Sequence, residues 1–401
     1  MTQPSVNVQI AYANEVTFGT PAAAGTSQLL RRVSSTLAVS KNAIASNEVR
    51  SDQQVFDVRH GTRSAGGSID GELSTVTYDD FIQAVLRGTW AAGVTSNQTA
   101  LTTVAADNTL STITFTGGDP LALGFKLGDV IRFTGMTQAA NNAKNFRITA
   151  FGGTSNRTLT VTPAPTTSAS SSTFTVSVQG RKVANGTTQR SFTIEQRSPD
   201  ISISERFVGV RVGAMNVSLQ PGAMASVRFD MQGLDGTVLS GGSYPYFTSP
   251  TAETATGVMA GVSGSLRLAG VEQAIVTAAD FSVNCNLRAD PVIGSTVVPQ
   301  IFYGRSVVTG SVSAFLKDQS LINAFLNETE TDLVVQLNGA GADPQDFLTF
   351  NFQRIKLNGV SKTIGPDGGV IATFPFQALL RTGGAGTAYD QSTMIVQRSN
   401  A

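Results

Sequence analysis

Residues 61–88, GTRSAGGSIDGELSTVTYDDFIQAVLRG, return in altered form at 304–327, GRSVVTGSVSAFLKDQSLINAFLN. In each copy a Gly-Ser-apolar-x-small-x-Leu run alternates like a half-buried strand: Gly67, Ser68, Ile69, Gly71 and Leu73, then Gly310, Ser311, Val312, Ala314 and Leu316. Apolar residues then fall at helical spacing, Phe81, Ile82, Val85 and Leu86 in the first copy and Leu321, Ile322, Phe325 and Leu326 in the second. Ile82, Ala84 and Leu86 align with Ile322, Ala324 and Leu326. One strand and one short helix cannot bury their apolar sides alone, so each copy must recruit further strands from its own half of the chain.

Those strands repeat as well. Residues 221–234, PGAMASVRFDMQGL, match 366–379, PDGGVIATFPFQAL, without a gap, with Met231 facing Phe376. Two stretches recurring in the same order predict an internal duplication. Between the copies, residues 101–178 read as short strands at 111–116, 130–134, 146–151, 159–162 and 173–178, broken by turn clusters such as Gly117-Gly118-Asp119-Pro120. FKLGDVIRF at 125–133 has the cadence of a small barrel. The segment has no counterpart in the second half, so it reads as an insertion at surface loops.

Residues 39–67 carry scattered charges and few core-grade side chains, and the corresponding 286–303 is also loop-like. A long loop at the same place in both halves predicts a use, and reaching onto a neighbouring subunit is the preferred one, ahead of a plain solvent-exposed loop. The candidate contact residues are Asn47, Arg50, Asp52, Phe56, Arg59, His60 and Arg63.

With 28 Lys plus Arg against 28 Asp plus Glu, nothing in the overall charge draws the chain to nucleic acid or anionic lipid, and little self-repulsion keeps copies apart. The single cysteine, Cys285, alternates with Phe281, Val283 and Leu287 and reads as a small buried hydrophobe, so no disulfide framework is expected. MTQPSVNVQIAYANE lacks the basic and apolar regions of a secretory signal, and no run reaches the ~18 apolar residues of a membrane span. Synthesis and folding in the cytoplasm are expected.

Catalytic chemistry finds little to work with. One histidine and one cysteine exclude multi-His and thiolate metal sites, and neither a phosphate-binding Gly-Lys-Ser/Thr loop nor a Gly-x-Ser-x-Gly elbow occurs. Paired carboxylates remain: Asp70 with Glu72 on one strand face, and Asp79 with Asp80 where a helix begins. The second pair reads as helix-dipole complement and cap. No catalytic residue, metal or cofactor is expected.

The long loop, then Gly-Ser-Ile-x-Gly-x-Leu, then Asp-Asp-Phe-Ile-x-Ala-Val-Leu, then closing strands resembles the tail tube proteins of long-tailed, non-contractile bacteriophages. The resemblance implies a mainly β fold: two tandem tail-tube-like β-sandwich or half-barrel domains, each with a flanking α-helix, plus a small inserted β-barrel-like domain. The corresponding division is 1–95 with 185–245 for the first tube-like domain, 96–184 for the insertion, 246–256 for a linker and 257–401 for the second. In that family six such folds form a ring and rings stack into a hollow tube that conducts DNA. Two folds per chain then require three chains per ring, with pseudo-sixfold symmetry, and head-to-tail stacking that does not close. The implied partners are other copies of the chain, the tail tape-measure, tail-terminator and distal tail proteins, and genomic DNA in passage, with no membrane; the implied location is the virion tail.

A DNA conduit should not bind its cargo, and an acidic or neutral lining suits sliding. Asp70, Glu72, Asp230 and Gln232 are the candidate lumen residues; the alternative is that they are simply outward-facing strand positions. Ser311, Ser313 and Phe315 carry no charge at the matching places of the second copy. Competing readings are a surface adhesin or carbohydrate-binding β protein, a polysaccharide-degrading enzyme, and another tail or baseplate component with the same fold.

Overall fold

A computed structural model of the protein describes residues 2–268, 271–272, 275–339, 345–365, 367–381 and 391–400. The strands that carry the architecture are, in chain order, β1 (Gln9–Asn14), β2 (Ser34–Ser35), β3 (Ala38–Ala45), β4 (Val58–Glu72), then helix α1 (Asp79–Leu86), β5 (Phe192–Ser198), β6 (Ile203–Leu219), β7 (Ser226–Gly233), β8 (Asp235–Ser240), β9 (Val276–Asn284) and β10 (Val307–Phe315). Helix α2 (Ser320–Leu326) follows, and then β11 (Thr331–Asn338), β12 (Phe347–Leu357), β13 (Ser361–Thr363), β14 (Ile371–Ala378) and β15 (Ile395–Arg398). The chain forms the expected mainly β fold, with open sheets consistent with a β-sandwich and with flanking helices.

Antiparallel pairing joins these into one long sheet in the order β2/β3, β4, β7, β6, β9, β10, β14, β12/β13. Alternation sets its two faces. Ile69, Leu73, Val227, Phe229, Met215, Val217, Phe281 and Val283 point to the core, and all are buried. Helix α1 lies on that side and buries Phe81, Ile82, Ala84, Val85 and Leu86. Phe81 meets Tyr12, Phe192 and Phe229 with ring centroids 4.9, 5.2 and 5.5 Å apart, a cluster that ties α1 to β1, β5 and β7. Truncating a ring so enclosed costs ~3–5 kcal/mol.

The amino-terminal part of β6 leaves the long sheet to pair with β5 and β8, and β5 pairs with β1. In the second half β12 does the same with β11, and β11 pairs with Gly264–Leu268. Strand β15 continues that layer and pairs with Arg181–Ala184.

Eight further strands between Thr95 and Val178 form a separate sheet with its own core of Phe115, Phe125, Phe133, Phe146 and Phe174 among others. It is fastened to the main body by a buried ion pair, Lys182 Nζ to Asp129 Oδ1 at 2.9 Å, and by the Gln397 side-chain amide, which donates to Val130 O at 3.0 Å and accepts from Val130 N at 2.9 Å.

Several local expectations are corrected. The segment 39–67, expected as a loop, is a two-stranded hairpin of β3 and the start of β4. All of β3 and Val58–His60 are exposed, so the ladder forms without a buried face to imprint alternation on the sequence. Asp235–Ser240, unassigned in the sequence reading, is the strand β8. Phe247, inside the stretch expected as a linker, is buried against Ala11, Ala13 and Ala22. The Gly-Gly-Ala-Gly run at 383–386, and Pro366 of the second matched stretch, lie outside the described residues.

Candidate assembly and lumen surfaces

The face of the long sheet opposite α1 is polar from one half of the chain to the other. Asp70 and Glu72 of β4, Arg228 and Asp230 of β7, Asn216 and Ser218 of β6, Asp280 and Ser282 of β9, and Thr309 and Ser311 of β10 share it through cross-strand register. They line an open groove of about 790 Å³, Asp230 lying beside it. Ser34 Oγ donates to Asp70 at 2.6 Å, Arg228 Nε lies 2.9 Å from Asp230 and 3.9 Å from Asp70, and Asn216 Nδ2 donates to Asp230 at 3.0 Å. Ser218 Oγ donates to Asp280 across the junction of the halves. The groove and its margin thus carry four carboxylates, Asp70, Glu72, Asp230 and Asp280, against the one guanidinium of Arg228 among its described residues, and this part of the face is net acidic.

Of the sequence candidates, Asp70, Glu72 and Asp230 fall together here, and Gln232 sits two residues further along β7, opposite Arg211. Ser68 and Ser74, which flank Asp70 and Glu72 in the same alternation, are buried; Ser74 lies beyond the strand and shares a hydrogen bond with Thr77. Arg228, Asn216 and Asp280 were not foreseen. Arg228 and Asp280 could have been, since each occupies the polar phase of an alternation whose apolar phase was recognised.

The halves meet edge to edge. Strand β6 pairs with β9 over six residues, from Ala214 opposite Asn284 to Leu219 opposite Ala279. The chain that follows β9 then lies across the first half. Cys285 Sγ donates to Val85 O at 3.0 Å, and burial pushes the thiol up to about 11. Arg63 N donates to Thr296 O at 2.7 Å, Tyr303 hydroxyl donates to Arg190 O at 3.2 Å, and Arg211 donates to Ile301 O while its guanidinium sits 4.9 Å from the Tyr303 ring. Val298 and Ile301 are buried by this contact.

Among the described residues the corresponding connection in the first half, the β3–β4 hairpin, has no such seat. Asn47, Arg50, Asp52 and Phe56 at its tip, and Arg59 and His60 at the start of β4, are exposed. Arg50 pairs with Asp52, at 3.3 Å, and stacks over Phe56; Arg59 pairs with Asp57 at 2.6 Å. Arg63 differs from the rest: it stands at the hairpin base, bound to Asp235 at 2.6 Å. Ile44, Val49, Val55, Phe56 and Val58 leave a run of apolar surface on the arm.

The two helices differ in the same sense. Leu86 is 1% exposed, whereas its counterpart Leu326 is 67% exposed, and no residue of α2 is fully buried.

The acids at the start of α1 do not form the expected cap. No side chain caps the helix; Asp79 binds Arg398 and Asp80 accepts from Tyr12 hydroxyl at 3.1 Å. Burial pushes the Asp79 carboxyl up to about 6 against the pull of Arg398. Among the described residues no group of three or more His, Cys, Asp or Glu side chains is placed to hold a metal ion, and no helix is long and apolar enough to cross a membrane.

A mainly β chain whose extended polar sheet face and unseated arm are its most distinctive surfaces is built for assembly. The family model for phage tail tube proteins matches residues 5–378, and the chain belongs to that family. No curated protein matches the chain. Membership defines a structural role in the virion tail and self-assembly into a tube.

Proposed function

We propose that the chain forms rings of three copies, that each chain supplies two tube units, and that the stacked rings enclose a channel through which DNA leaves the particle. The observation that carries this reading is a coincidence of registers. Ile69 lies opposite Phe229 in β4 and β7, and Val312 lies opposite Phe374 in β10 and β14. The two repeated stretches lie far apart in the sequence, yet their strands pair in the same register in both halves, which supports two copies of one unit. The unit boundaries are 1–95 with 185–245 and 257–401, with 96–184 an outward insertion and 246–256 the connection.

The polar sheet face suits a channel lining because its carboxylates repel phosphate, and the β6–β9 pairing carries that face unbroken between units. Asp70, Glu72, Asp230 and Gln232 take the lumen role, joined by Asp280. The arm, with Asn47, Arg50, Asp52, Phe56, Arg59 and His60, reaches onto a neighbouring copy. The tape-measure, terminator and distal tail proteins are the further partners of such a tube, whose assembly takes place in the host cytoplasm. The test is negative-stain microscopy of concentrated protein with mass measurement: stacked hollow rings of three chains are expected, and rings of six chains would overturn the duplication.

A further inference from the structure

We infer that Asn358 is a site of spontaneous covalent modification: its side-chain amide is lost through attack by the Gly359 backbone nitrogen, leaving aspartate or isoaspartate in the connection between β12 and β13. This chemistry needs nothing from the tube reading and goes beyond it.

An asparagine followed by glycine is the pairing most open to this reaction, because glycine has no side chain to shield its N–H and permits the backbone angles that ring closure requires. The chain holds three such pairs, Asn185-Gly186, Asn338-Gly339 and Asn358-Gly359. Two are locked. Gly186 N donates to Leu86 O at 2.9 Å, while Asn185 Oδ1 accepts from Ser392 Oγ at 3.1 Å and from Met394 N at 2.9 Å. Gly339 N donates to Asp346 O at 2.7 Å, and Asn338 Oδ1 accepts from Gln336 Nε2 at 2.8 Å. In both, the attacking nitrogen and the amide it would attack are held by other partners. The third pair is open. Among the described residues neither Gly359 N nor the Asn358 side chain has a hydrogen-bond partner, and Asn358 is exposed. A Cβ on Gly359 would meet only Pro375 Cγ, at 3.6 Å, so nothing crowds the nitrogen. The backbone is held up to this point, since Asn358 N donates to Pro375 O at 2.7 Å.

The reaction consumes only water. Gly359 N, its proton lost to hydroxide, bonds to Asn358 Cγ; the Cγ–Nδ2 bond breaks, and the departing nitrogen takes a proton from water and leaves as ammonia. Water then opens the five-membered imide. Opening at Cγ gives aspartate, and opening at the Asn358 carbonyl carbon gives isoaspartate, in which the chain runs on through Cγ. Hydroxide enters the first step, so the rate rises with pH. Either product adds a negative charge. Isoaspartate also adds a carbon to the backbone between Leu357, opposite Phe376, and Ser361, opposite Thr373. Ser361, Lys362 and Thr363 are all exposed, so pairing with β14 rather than burial holds β13 in place. A strand without a buried face has a weakly specified register, and the lengthened connection works against it.

The experiment incubates the full chain at mildly alkaline pH, digests it with trypsin and maps the peptides by mass. Peptides 183–190, 318–354 and 357–362 carry the three pairs, with fragment ions assigning the position in the longest. Asn358 is expected to convert about tenfold faster than Asn185 or Asn338, a difference of about 1.4 kcal/mol in barrier. The three rates should converge when the chain is unfolded in urea before incubation. Asn358→Gln should abolish the conversion in 357–362, because the longer side chain must close a larger ring. Hydrogen exchange at 361–363 should quicken in chains carrying isoaspartate and stay unchanged in fresh Asn358→Asp protein. Equal rates at the three pairs in the native chain, or no conversion at Asn358, would overturn the assignment of the site. Unchanged exchange in the isoaspartate chains would overturn its effect on β13.

Discussion

Gly67 and Gly310 are held by the same contact: a Cβ on Gly67 would stand 2.4 Å from Thr36 O, and a Cβ on Gly310 would stand 2.4 Å from Asp280 O. Thr36 lies beside β4 and Asp280 beside β10, so the glycine in each copy of the sequence motif answers one close backbone approach. Gly67 adds a φ of +146°, a region that L side chains rarely adopt. Gly67→Ala and Gly310→Ala should each lower stability by about 2 kcal/mol or more, Gly67→Ala the more severely, in denaturant melts of the unassembled chain. Alanine tolerated at both positions would remove the steric account of the motif.

Cys285 joins the halves from a fully buried place, with its thiol raised to about 11. A thiol so enclosed carries almost no thiolate at neutral pH. Native protein should therefore resist alkylation at pH 8 and react within minutes once unfolded, as read by mass. Cys285→Leu should cost ~1–3 kcal/mol by overpacking against Val85. Rapid labelling of the native chain would show that the junction opens.

Helices α1 and α2 should separate stability from assembly. Phe81→Ala removes a ring buried among three others and should cost ~3–5 kcal/mol in the unassembled chain. Leu326→Ala removes a side chain that is 67% exposed and should change that stability by under about 0.5 kcal/mol, while weakening ring formation measured by sedimentation. Equal losses of stability from both would mean that α2 is as enclosed as α1.

Asp79 gives a pH signature. Its folded pKa, about 6, lies above the ordinary 3.8, so the folded state holds the proton more tightly than the unfolded state between those values. On this group's account stability falls as pH rises from about 4 to about 6 and levels off above. Asp79→Asn should flatten that slope, by up to about 3 kcal/mol across the window. A wild-type profile that rises with pH there, unchanged by the substitution, would contradict the assignment.

The acidic face predicts an effect on DNA transit. Phage carrying Asp70→Lys and Asp280→Lys should assemble tails, because both side chains are partly exposed on an open face, yet release DNA more slowly and with stronger salt dependence. Dye-detected ejection kinetics at two salt concentrations would measure it. Unchanged kinetics would remove the channel role of that face.

Much of the fold was legible because burial writes itself into sequence. Ile69 and Leu73 against Asp70 and Glu72, or Phe281 and Val283 against Asp280 and Ser282, alternate as half-buried strands must, and Phe81, Ile82 and Val85 keep helical spacing. The β3–β4 hairpin was illegible for the converse reason: Ala38–Ala45 is exposed on both faces, so backbone hydrogen bonds shape it without patterning its side chains. Asp79 and Asp80 looked like helix-start acids, and their partners, Arg398 and Tyr12, are brought to them from distant parts of the chain. The junction of β6 with β9 left no local mark at all, because any two half-buried strands present the same backbone edge.

Mass per ring tests the central claim most directly. Scanning transmission or native mass measurement of assembled tubes, combined with the axial repeat from microscopy, should give three chains, each of 41.8 kDa, per ring with six similar densities around the channel. Six chains per ring, with twelve densities or an unrelated arrangement, would contradict the reading of one chain as two tube units.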